Sequence, residues 1–130
     1  MACSIVISGA LGRMGQAILT LAGSDGQFEV VGALEDETRV EEANALLSKG
    51  DKPLRVASTL AELQAPHGSI LIEFSTPEAT MAHVAQADQS GLKMVIGTTG
   101  LSDTDMQRIS DASRDTAILV SSNMSVGVNM

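Results

Sequence analysis

Short apolar runs alternate with longer amphipathic stretches along the chain. The runs are rich in β-branched residues, which is typical of buried strands. They span residues 5–7, 28–34, 70–74, 93–97 and 116–120, with a shorter candidate at 55–57. Helical periodicity fills the intervals, including short segments at 40–47 and 59–63. This alternation predicts an α/β fold, a doubly wound parallel sheet with right-handed crossovers and helices on both faces.

Periodic, mostly apolar positions indicate which face of each main helix is buried. They recur at the i, i+3, i+4 spacing of one helix face. They are Met14, Ala17, Ile18, Leu21 and Ala22 in the first helix, Met81, Val84, Ala85 and Asp88 in the second, and Met106, Ile109 and Ala112 or Ser113 in the third. Gly23 and Gly91 are expected to end the first two helices.

Helix starts are marked by capping residues. Two pairs have the spacing of a capping box, in which a hydroxyl and a carboxylate satisfy each other's backbone amides. The pairs are Thr59 with Glu62 and Ser102 with Asp105. Ser75 or Thr76 can cap a further helix that has Pro77 in its first turn.

Three glycines connect the first predicted strand to the first helix. Gly9, Gly12 and Gly15 give the spacing G-x-x-G-x-x-G, one residue looser than the G-x-G-x-x-G fingerprint of a Rossmann-like dinucleotide site. In such a turn the first glycine permits a sharp bend, the second lets amides approach a pyrophosphate, and the third lets the helix lie close to the strand. The helix N-terminus would favour the anion. A merely structural β-turn-α unit is the alternative.

Glu35 ends the second predicted strand, 20 residues after Gly15. A dinucleotide site has a carboxylate at this distance, which accepts hydrogen bonds from the adenosine ribose hydroxyls. The alternative is that Glu35 opens an exposed acidic loop, because Asp36 and Glu37 follow it. Dinucleotide binding is favoured because the strand, the three glycines, the helix, the second strand and the carboxylate follow one another in the order and at the spacing of such a site.

The loops that follow the strands are expected to lie along one edge of the sheet. They are residues 8–15, 35–37, 75–77, 97–100 and 121–124. The 97–100 loop offers free N–H groups and two hydroxyls for a nicotinamide ribose or a substrate carboxylate, or it is a tight turn with Gly100 at positive φ. Ser121, Ser122 and Asn123 stand where a carboxamide can hydrogen-bond a nicotinamide.

The amino-acid composition limits the kinds of partner that the chain is expected to bind. The net charge of −8 disfavours nucleic acid and anionic membrane surfaces, and without Trp or Tyr the chain has no platform for stacking bases. Cys3 is the single cysteine, so no internal disulfide or cysteine metal cluster can form. Without a membrane-length apolar run or a leader pattern, we expect a cytoplasmic protein. His67 and His83 are interpreted as surface residues, and no metal site is expected.

Five motifs together resemble the N-terminal domain of the dihydrodipicolinate reductase family. They are G-x-x-G-R-M-G at 9–15, Glu35, F-S-T-P-E at 74–78, V-I-G-T-T-G at 95–100 and S-S-N-M-S-V-G-V-N at 121–129. The resemblance implies NAD(P)H-dependent reduction of a cyclic dihydropyridine dicarboxylate to tetrahydrodipicolinate, on the route to diaminopimelate and lysine. Residues 1–130 would then be the dinucleotide-binding domain of a longer enzyme.

The resemblance also assigns residues to the two ends of the cofactor. The adenosine and pyrophosphate end would contact Gly9, Ala10, Leu11, Gly12, Arg13, Met14, Gly15, Glu35 and Asp36. The nicotinamide end would contact Gly97, Thr98, Thr99, Ser121, Ser122, Asn123 and Met124, with Thr99 also near a substrate carboxylate. The family usually has Ala at 121 and 122 and Phe at 124.

The family's catalytic motif, H-x-x-K-x-D-x-P-S-G-T-A, has no match here, so no catalytic residue is assigned to this fragment. In the family that motif lies in a second domain, which binds the small dicarboxylate and forms the homotetramer. Asp36 stands where members that use NADPH well have arginine, so NADH is the expected preference, with NADPH possible. The alternatives are the cofactor domain of another nicotinamide oxidoreductase, of the aspartate or sugar dehydrogenase type, and a non-catalytic NAD(H)-sensing module.

Overall fold

A sheet of six parallel strands is the centre of the computed structural model, which describes residues 3–24, 26–47 and 55–120. The strands are β1 (Cys3–Ser8), β2 (Phe28–Leu34), β3 (Val56–Ala57), β4 (Ile70–Glu73), β5 (Lys93–Ile96) and β6 (Ile118–Val120). Their order is β3-β2-β1-β4-β5-β6. The order therefore reverses between β1 and β4, and ligands of such sheets bind at that point.

Helices cover both faces of this sheet. They are α1 (Arg13–Ser24), α2 (Val40–Leu47), α3 (Leu60–Leu63), α4 (Pro77–Ser90) and α5 (Asp103–Ala112), with a 3-10 turn at Glu37–Arg39 before α2. The first two helices pack on β1, β2 and β3 from one side. The other three share the apolar cluster on the opposite side. The predicted doubly wound parallel sheet is confirmed.

Alternation along the strands divides the apolar core between the two faces. Ile5 and Ile7 of β1 belong to the cluster under α1 and α2, whereas Val6 belongs to the cluster under the other helices. All three side chains are nearly or fully buried. Burying one such side chain contributes about 1.5–3 kcal/mol. The apolar runs in the sequence therefore fix both the strands and their position in the core.

The buried face of α1 is rotated relative to the predicted one. Ala17 is exposed and Leu21 is 68% exposed, whereas Gly15 and Ala22 are buried. Since Gly15 lies against the preceding turn, it sets which face of the helix meets the sheet. The helix also continues through Gly23, which was expected to end it.

The buried face of α4 also differs from the prediction. Its buried residues are Thr80, His83, Val84 and Ala87. Ala85, predicted to be buried, is exposed. The interpretation of His83 as a surface residue is wrong, because its ring meets a buried carboxylate at the end of β4. In α5, Ile109 is buried as predicted, but Met106 is 41% exposed.

The predicted helix caps are present, with one difference. Both reciprocal bonds of the capping box between Ser102 and Asp105 are formed, and Thr76 caps α4 through its hydroxyl. The Thr59 hydroxyl accepts a hydrogen bond from the amide of Glu62, as predicted. The Glu62 carboxylate, however, accepts from hydroxyl groups of its neighbours instead of a backbone amide.

Backbone contacts at the glycine turn leave no space for side chains at two positions. Gly9 has a φ of +83°, and a Cβ there would lie 2.2 Å from the carbonyl oxygen of Phe74. A Cβ on Gly15 would lie 2.3 Å from the carbonyl oxygen of Gly9. These contacts explain why the first and third glycines are needed, and they join α1, β1 and the end of β4.

We predict that Gly15→Ala lowers the free energy of unfolding by about 2 kcal/mol, within the range for overpacking a closed site. The methyl group would meet backbone atoms, so the helix itself must move. The measurement is urea unfolding followed by far-UV circular dichroism. Gly26→Ala is the matched control, because a Cβ there meets nothing within 4 Å. Equal stability of the two variants would contradict the close contact.

Candidate functional site

A cleft of about 490 Å³ opens at the carboxyl ends of β1, β2, β3 and β4, above the reversal of strand order. Its walls come from the loops that follow those four strands and from one side of α4. The lining residues are Ser8, Gly9, Gly12, Glu35, Asp36, Glu37, Arg39, Ser58, Thr59, Phe74, Ser75, Thr76, Ala79, Ala82 and His83. Its volume is in the range of small-molecule and cofactor sites, about 300–1,000 Å³.

The glycine turn presents a helix N-terminus to this cleft. The Gly12 amide donates to the Gly9 carbonyl at 2.9 Å, and the Gln16 amide donates to the Gly12 carbonyl at 3.0 Å. The first turn of α1 therefore begins directly after Gly12, and its leading amides have no acceptor inside the helix. Gly12 is exposed, so an anion can reach these amides and the positive end of the helix dipole.

Glu35 connects the end of β2 to this turn. Its Oε2 accepts a hydrogen bond from the Leu11 amide at 3.0 Å, and its Oε1 accepts one from the Asp36 amide at 3.1 Å. The side chain is half-buried in the cleft wall and is not part of a freely exposed acidic loop. Each carboxylate oxygen keeps a lone pair for a further donor, such as a sugar hydroxyl.

The outer rim of the cleft is mainly acidic. Asp36 and Glu37 are exposed on it beside Arg39. The Arg39 guanidinium forms two contacts of 3.3 Å with the Glu42 carboxylate. The hydrogen bond and the charge of Glu42 raise the pKa of Arg39 further, so this side chain is a permanent cation. It would have to leave Glu42 to neutralise a second anion.

A buried polar cluster lies beneath the cleft and was not predicted. The Glu73 carboxylate is fully buried and accepts hydrogen bonds from the hydroxyls of Ser8, at 2.5 Å, and Ser75. Its other oxygen lies 2.6 Å from Nδ1 of His83. One sequence feature could have indicated this cluster: the acidic residue Glu73 directly follows the apolar run 70–72. Glu73 therefore lies at the end of a strand whose pairing with β1 buries it.

The loop after β5 uses most of its polar groups internally. The Gly97 amide donates to the Glu73 carbonyl at 2.8 Å, and the buried Thr98 hydroxyl lies 2.7 Å from the Thr80 hydroxyl. The expectation of free N–H groups and two hydroxyls is therefore wrong for Gly97 and Thr98. Thr99 is exposed, and Gly100 has the positive φ expected of a tight turn. Roles for residues 97–99 in ligand binding stay predictions.

The remaining predictions from the sequence concern residues 121–124, His67, metal binding and membrane spans. Ser121, Ser122, Asn123 and Met124 lie outside the described residues. His67 is exposed, as predicted. Within residues 3–24, 26–47 and 55–120, no three His, Cys, Asp or Glu side chains are grouped so that they could hold a metal ion. In the same part of the chain, no helix has both the length and the apolar character needed to cross a bilayer.

Comparison with known sequences gives one consistent result. The family model described as "Dihydrodipicolinate reductase, N-terminus" matches residues 3–124. A 4-hydroxy-tetrahydrodipicolinate reductase from Polynucleobacter necessarius is 41% identical over 128 residues, covering 96% of this chain and 47% of the relative. The enzyme of the same name from Aquifex aeolicus is 37% identical over 134 residues, covering 100% of this chain and 50% of the relative. The chain thus spans about half the length of these relatives.

A solved structure shares the fold. It is a dipicolinate-bound dihydrodipicolinate reductase from Paenisporosarcina sp. TG-14, with a TM-score of 0.74 and 20% sequence identity. The alignment covers 98% of this chain and 49% of that protein. At this identity the likeness supports the architecture alone.

We predict that Thr98→Val lowers the free energy of unfolding by about 1–3 kcal/mol, the cost of leaving a buried polar partner unsatisfied. The Ser75 amide, which donates to the Thr98 hydroxyl at 3.3 Å, would lose its acceptor. Thr99→Val is the matched control, since that side chain is exposed. Chemical unfolding of both variants tests the difference, and equal effects would contradict a structural role for Thr98.

Proposed function

This chain belongs to the dihydrodipicolinate reductase N-terminal family, and from that premise we propose that it is the dinucleotide-binding half of a 4-hydroxy-tetrahydrodipicolinate reductase. The whole enzyme would reduce a small cyclic dicarboxylate in diaminopimelate and lysine biosynthesis. The observation that carries the proposal is the hydrogen bond between Glu35 and the Leu11 amide. It joins the carboxylate that we propose binds the ribose to the turn that we propose binds the phosphates, and both lie at one cleft.

The proposed cofactor position follows from the two ends of this cleft. The pyrophosphate would lie over the first turn of α1, at the amides of Arg13 and Met14, and the adenosine ribose at Glu35. The nicotinamide, which supplies a hydride when the cofactor is bound, would extend toward residues 97–99 and 121–124, because these follow β5 and β6. Thr99, the exposed hydroxyl of its loop, would lie near a substrate carboxylate.

The remaining parts of the enzyme are proposed to lie outside this chain. No residue here is assigned a catalytic role, and the second half would supply the proton donor, the main substrate contacts and the homotetramer interface. A reductase of this kind works where nicotinamide cofactors are kept reduced, so we propose a cytoplasmic location. The sole cysteine is compatible with a reducing compartment.

We expect the 130-residue chain to bind NADH saturably without reducing the dicarboxylate substrate. The protein lacks Trp and Tyr, so NADH fluorescence can be followed without interference from these residues. Absence of saturable binding would contradict the dinucleotide site. Turnover by the purified chain above the rate without protein would contradict the proposal that the catalytic groups lie in a second half.

Gly12→Val is expected to weaken NADH binding by at least about tenfold, or roughly 1.4 kcal/mol. The nearest atom to a Cβ at Gly12 is the Gly9 carbonyl oxygen, at 3.3 Å, so the turn can accept the substitution with a small adjustment. The valine side chain would instead occupy the approach to the helix amides. Gly26→Val, in open space, is the control. Unchanged affinity in a folded Gly12→Val protein would show that the pyrophosphate binds elsewhere.

We expect NADH to bind more tightly than NADPH, by roughly fivefold or about 1 kcal/mol. The 2′-phosphate would approach the carboxylates of Glu35, Asp36 and Glu37, while Arg39 is already paired with Glu42. Asp36→Arg should raise the NADPH affinity. Glu29→Arg makes the same charge change at the start of β2 and should have little effect. Equal or tighter NADPH binding by the parent at low salt, where repulsion is least screened, would indicate that Arg13 of the glycine turn and Arg39 control the site.

A further inference from the structure

Glu73 lies at the reversal of strand order but does not line the cleft. Ser8 of β1 and Glu73 of β4 are register partners in the sheet, so their side chains emerge side by side. The carboxylate is fully buried, whereas its three partners, Ser8, Ser75 and His83, all line the cleft. A fully buried carboxylate thus contacts three residues of the cleft wall, of which Ser8 and His83 are themselves largely buried and Ser75 is half-buried.

Both carboxylate oxygens of Glu73 take part in hydrogen bonds within the protein. Oε2 accepts from the hydroxyls of Ser8 and Ser75, and Oε1 pairs with Nδ1 of His83. Two serine hydroxyls and one histidine ring nitrogen therefore converge on a single buried carboxyl group. Burying such a group is costly unless it is fully hydrogen-bonded, and an apolar replacement of similar volume is often at least as stable. Stability alone therefore does not account for this cluster.

The cluster extends to the end of the next strand. The Ser75 hydroxyl lies 3.5 Å from the Thr80 hydroxyl, which lies 2.7 Å from the Thr98 hydroxyl. The Ser75 amide also donates to Thr98 at 3.3 Å. One continuous set of hydrogen bonds thus links the ends of β1, β4 and β5 with α4, and Glu73 is its central acceptor.

We propose that Glu73 is a positioning residue for dinucleotide binding, whose buried carboxylate orients Ser8, Ser75 and His83 and so sets the shape of the cleft beside the glycine turn. The inference rests on the proposed function. Ser8 immediately precedes Gly9, so its orientation is directly coupled to the turn that would hold the pyrophosphate. His83 forms part of the opposite wall.

Glu73→Gln is the informative variant because it keeps the volume but replaces one acceptor oxygen with a donor NH₂ group. Either Nδ1 of His83 or both serine hydroxyls must then reverse their roles. We expect a folded protein whose dissociation constants for NADH and ADP-ribose both rise about tenfold, which corresponds to about 1.4 kcal/mol. ADP-ribose lacks the nicotinamide, so equal losses would place the defect at the adenosine and pyrophosphate end.

Ser69→Ala is the matched control for a merely structural effect. The buried Ser69 hydroxyl donates to the Pro66 carbonyl at 2.6 Å, just before the start of β4 and away from the cleft. We expect this variant to lose stability while binding both ligands as the parent does. Binding is measured well below the unfolding temperature of every variant, so that loss of folded protein does not imitate loss of affinity.

The two histidines allow a direct spectroscopic check. The contact between Glu73 and Nδ1 predicts that the proton of neutral His83 resides on Nδ1, which long-range ¹H–¹⁵N spectra report. In Glu73→Gln this signature should shift toward the Nε2 tautomer if the new NH₂ group faces His83 and stay the same if it faces the serines, whereas the signals of exposed His67 should not change. A parent protein in which the proton of neutral His83 resides on Nε2 would overturn the proposed contact.

The outcomes separate this inference from the proposed function. If the parent chain binds neither NADH nor ADP-ribose, the proposed function fails and the inference fails with it. If the parent binds and folded Glu73→Gln binds equally well, only the positioning role is overturned. If Glu73→Gln does not fold, Ser75→Ala decides, since it removes one donor from a half-buried loop. Weaker binding together with shifted His83 signals supports the role, because loss of a ligand contact at Ser75 would not by itself alter His83 in the free protein. Unchanged binding, or weaker binding with unchanged His83 signals, overturns it.

Discussion

The fold and its cleft depend on the close approach of the glycine turn to the end of β4. At Gly9 the backbone turns with positive φ directly against the Phe74 carbonyl, and at Gly15 the helix lies against the Gly9 carbonyl. A side chain at Gly9 would push the glycine turn away from the end of β4, and one at Gly15 would push α1 away from the turn. Because these contacts fix the start of α1 over the reversal of strand order, the helix N-terminus and the cleft occupy the same place.

Hydrogen bonds to two side-chain carboxylates also hold the strand ends around the cleft together. Glu35 fastens the glycine turn to the end of β2, and Glu73 fastens the end of β1 to β4 and α4. The two carboxylates differ in access, since Glu35 reaches the cleft and Glu73 is fully buried. One is therefore suited to contact a ligand and the other to hold the residues that do.

Much of this arrangement could be predicted from local patterns. The strand at 28–34 has the predicted bounds, because an apolar run rich in β-branched residues is typical of a buried strand. Glu35 faces the cleft as expected, because its spacing after the glycine turn places it at the carboxyl end of the neighbouring parallel strand. Gly9 and Gly15 have the predicted roles for the same reason.

The rest depended on contacts between distant residues. Leu21 is apolar yet exposed, because the close contact at Gly15 rotates α1. His83 is polar yet buried, since Glu73, ten residues earlier on another element, provides a partner that no helical period reveals. Thr98 likewise bonds within the protein through Thr80. A sequence pattern predicts which faces can be buried, and long-range partners decide which polar groups are buried with them.

The central claim is that one edge of the sheet binds a dinucleotide through the glycine turn and Glu35. Amide chemical-shift mapping of the ¹⁵N-labelled chain titrated with NADH tests it most directly. The account predicts that the largest shifts occur at residues 9–15 and at Glu35 and Asp36. Largest shifts at Gly68, Ser69 and Gly91, which lie at the opposite ends of the strands, would contradict it.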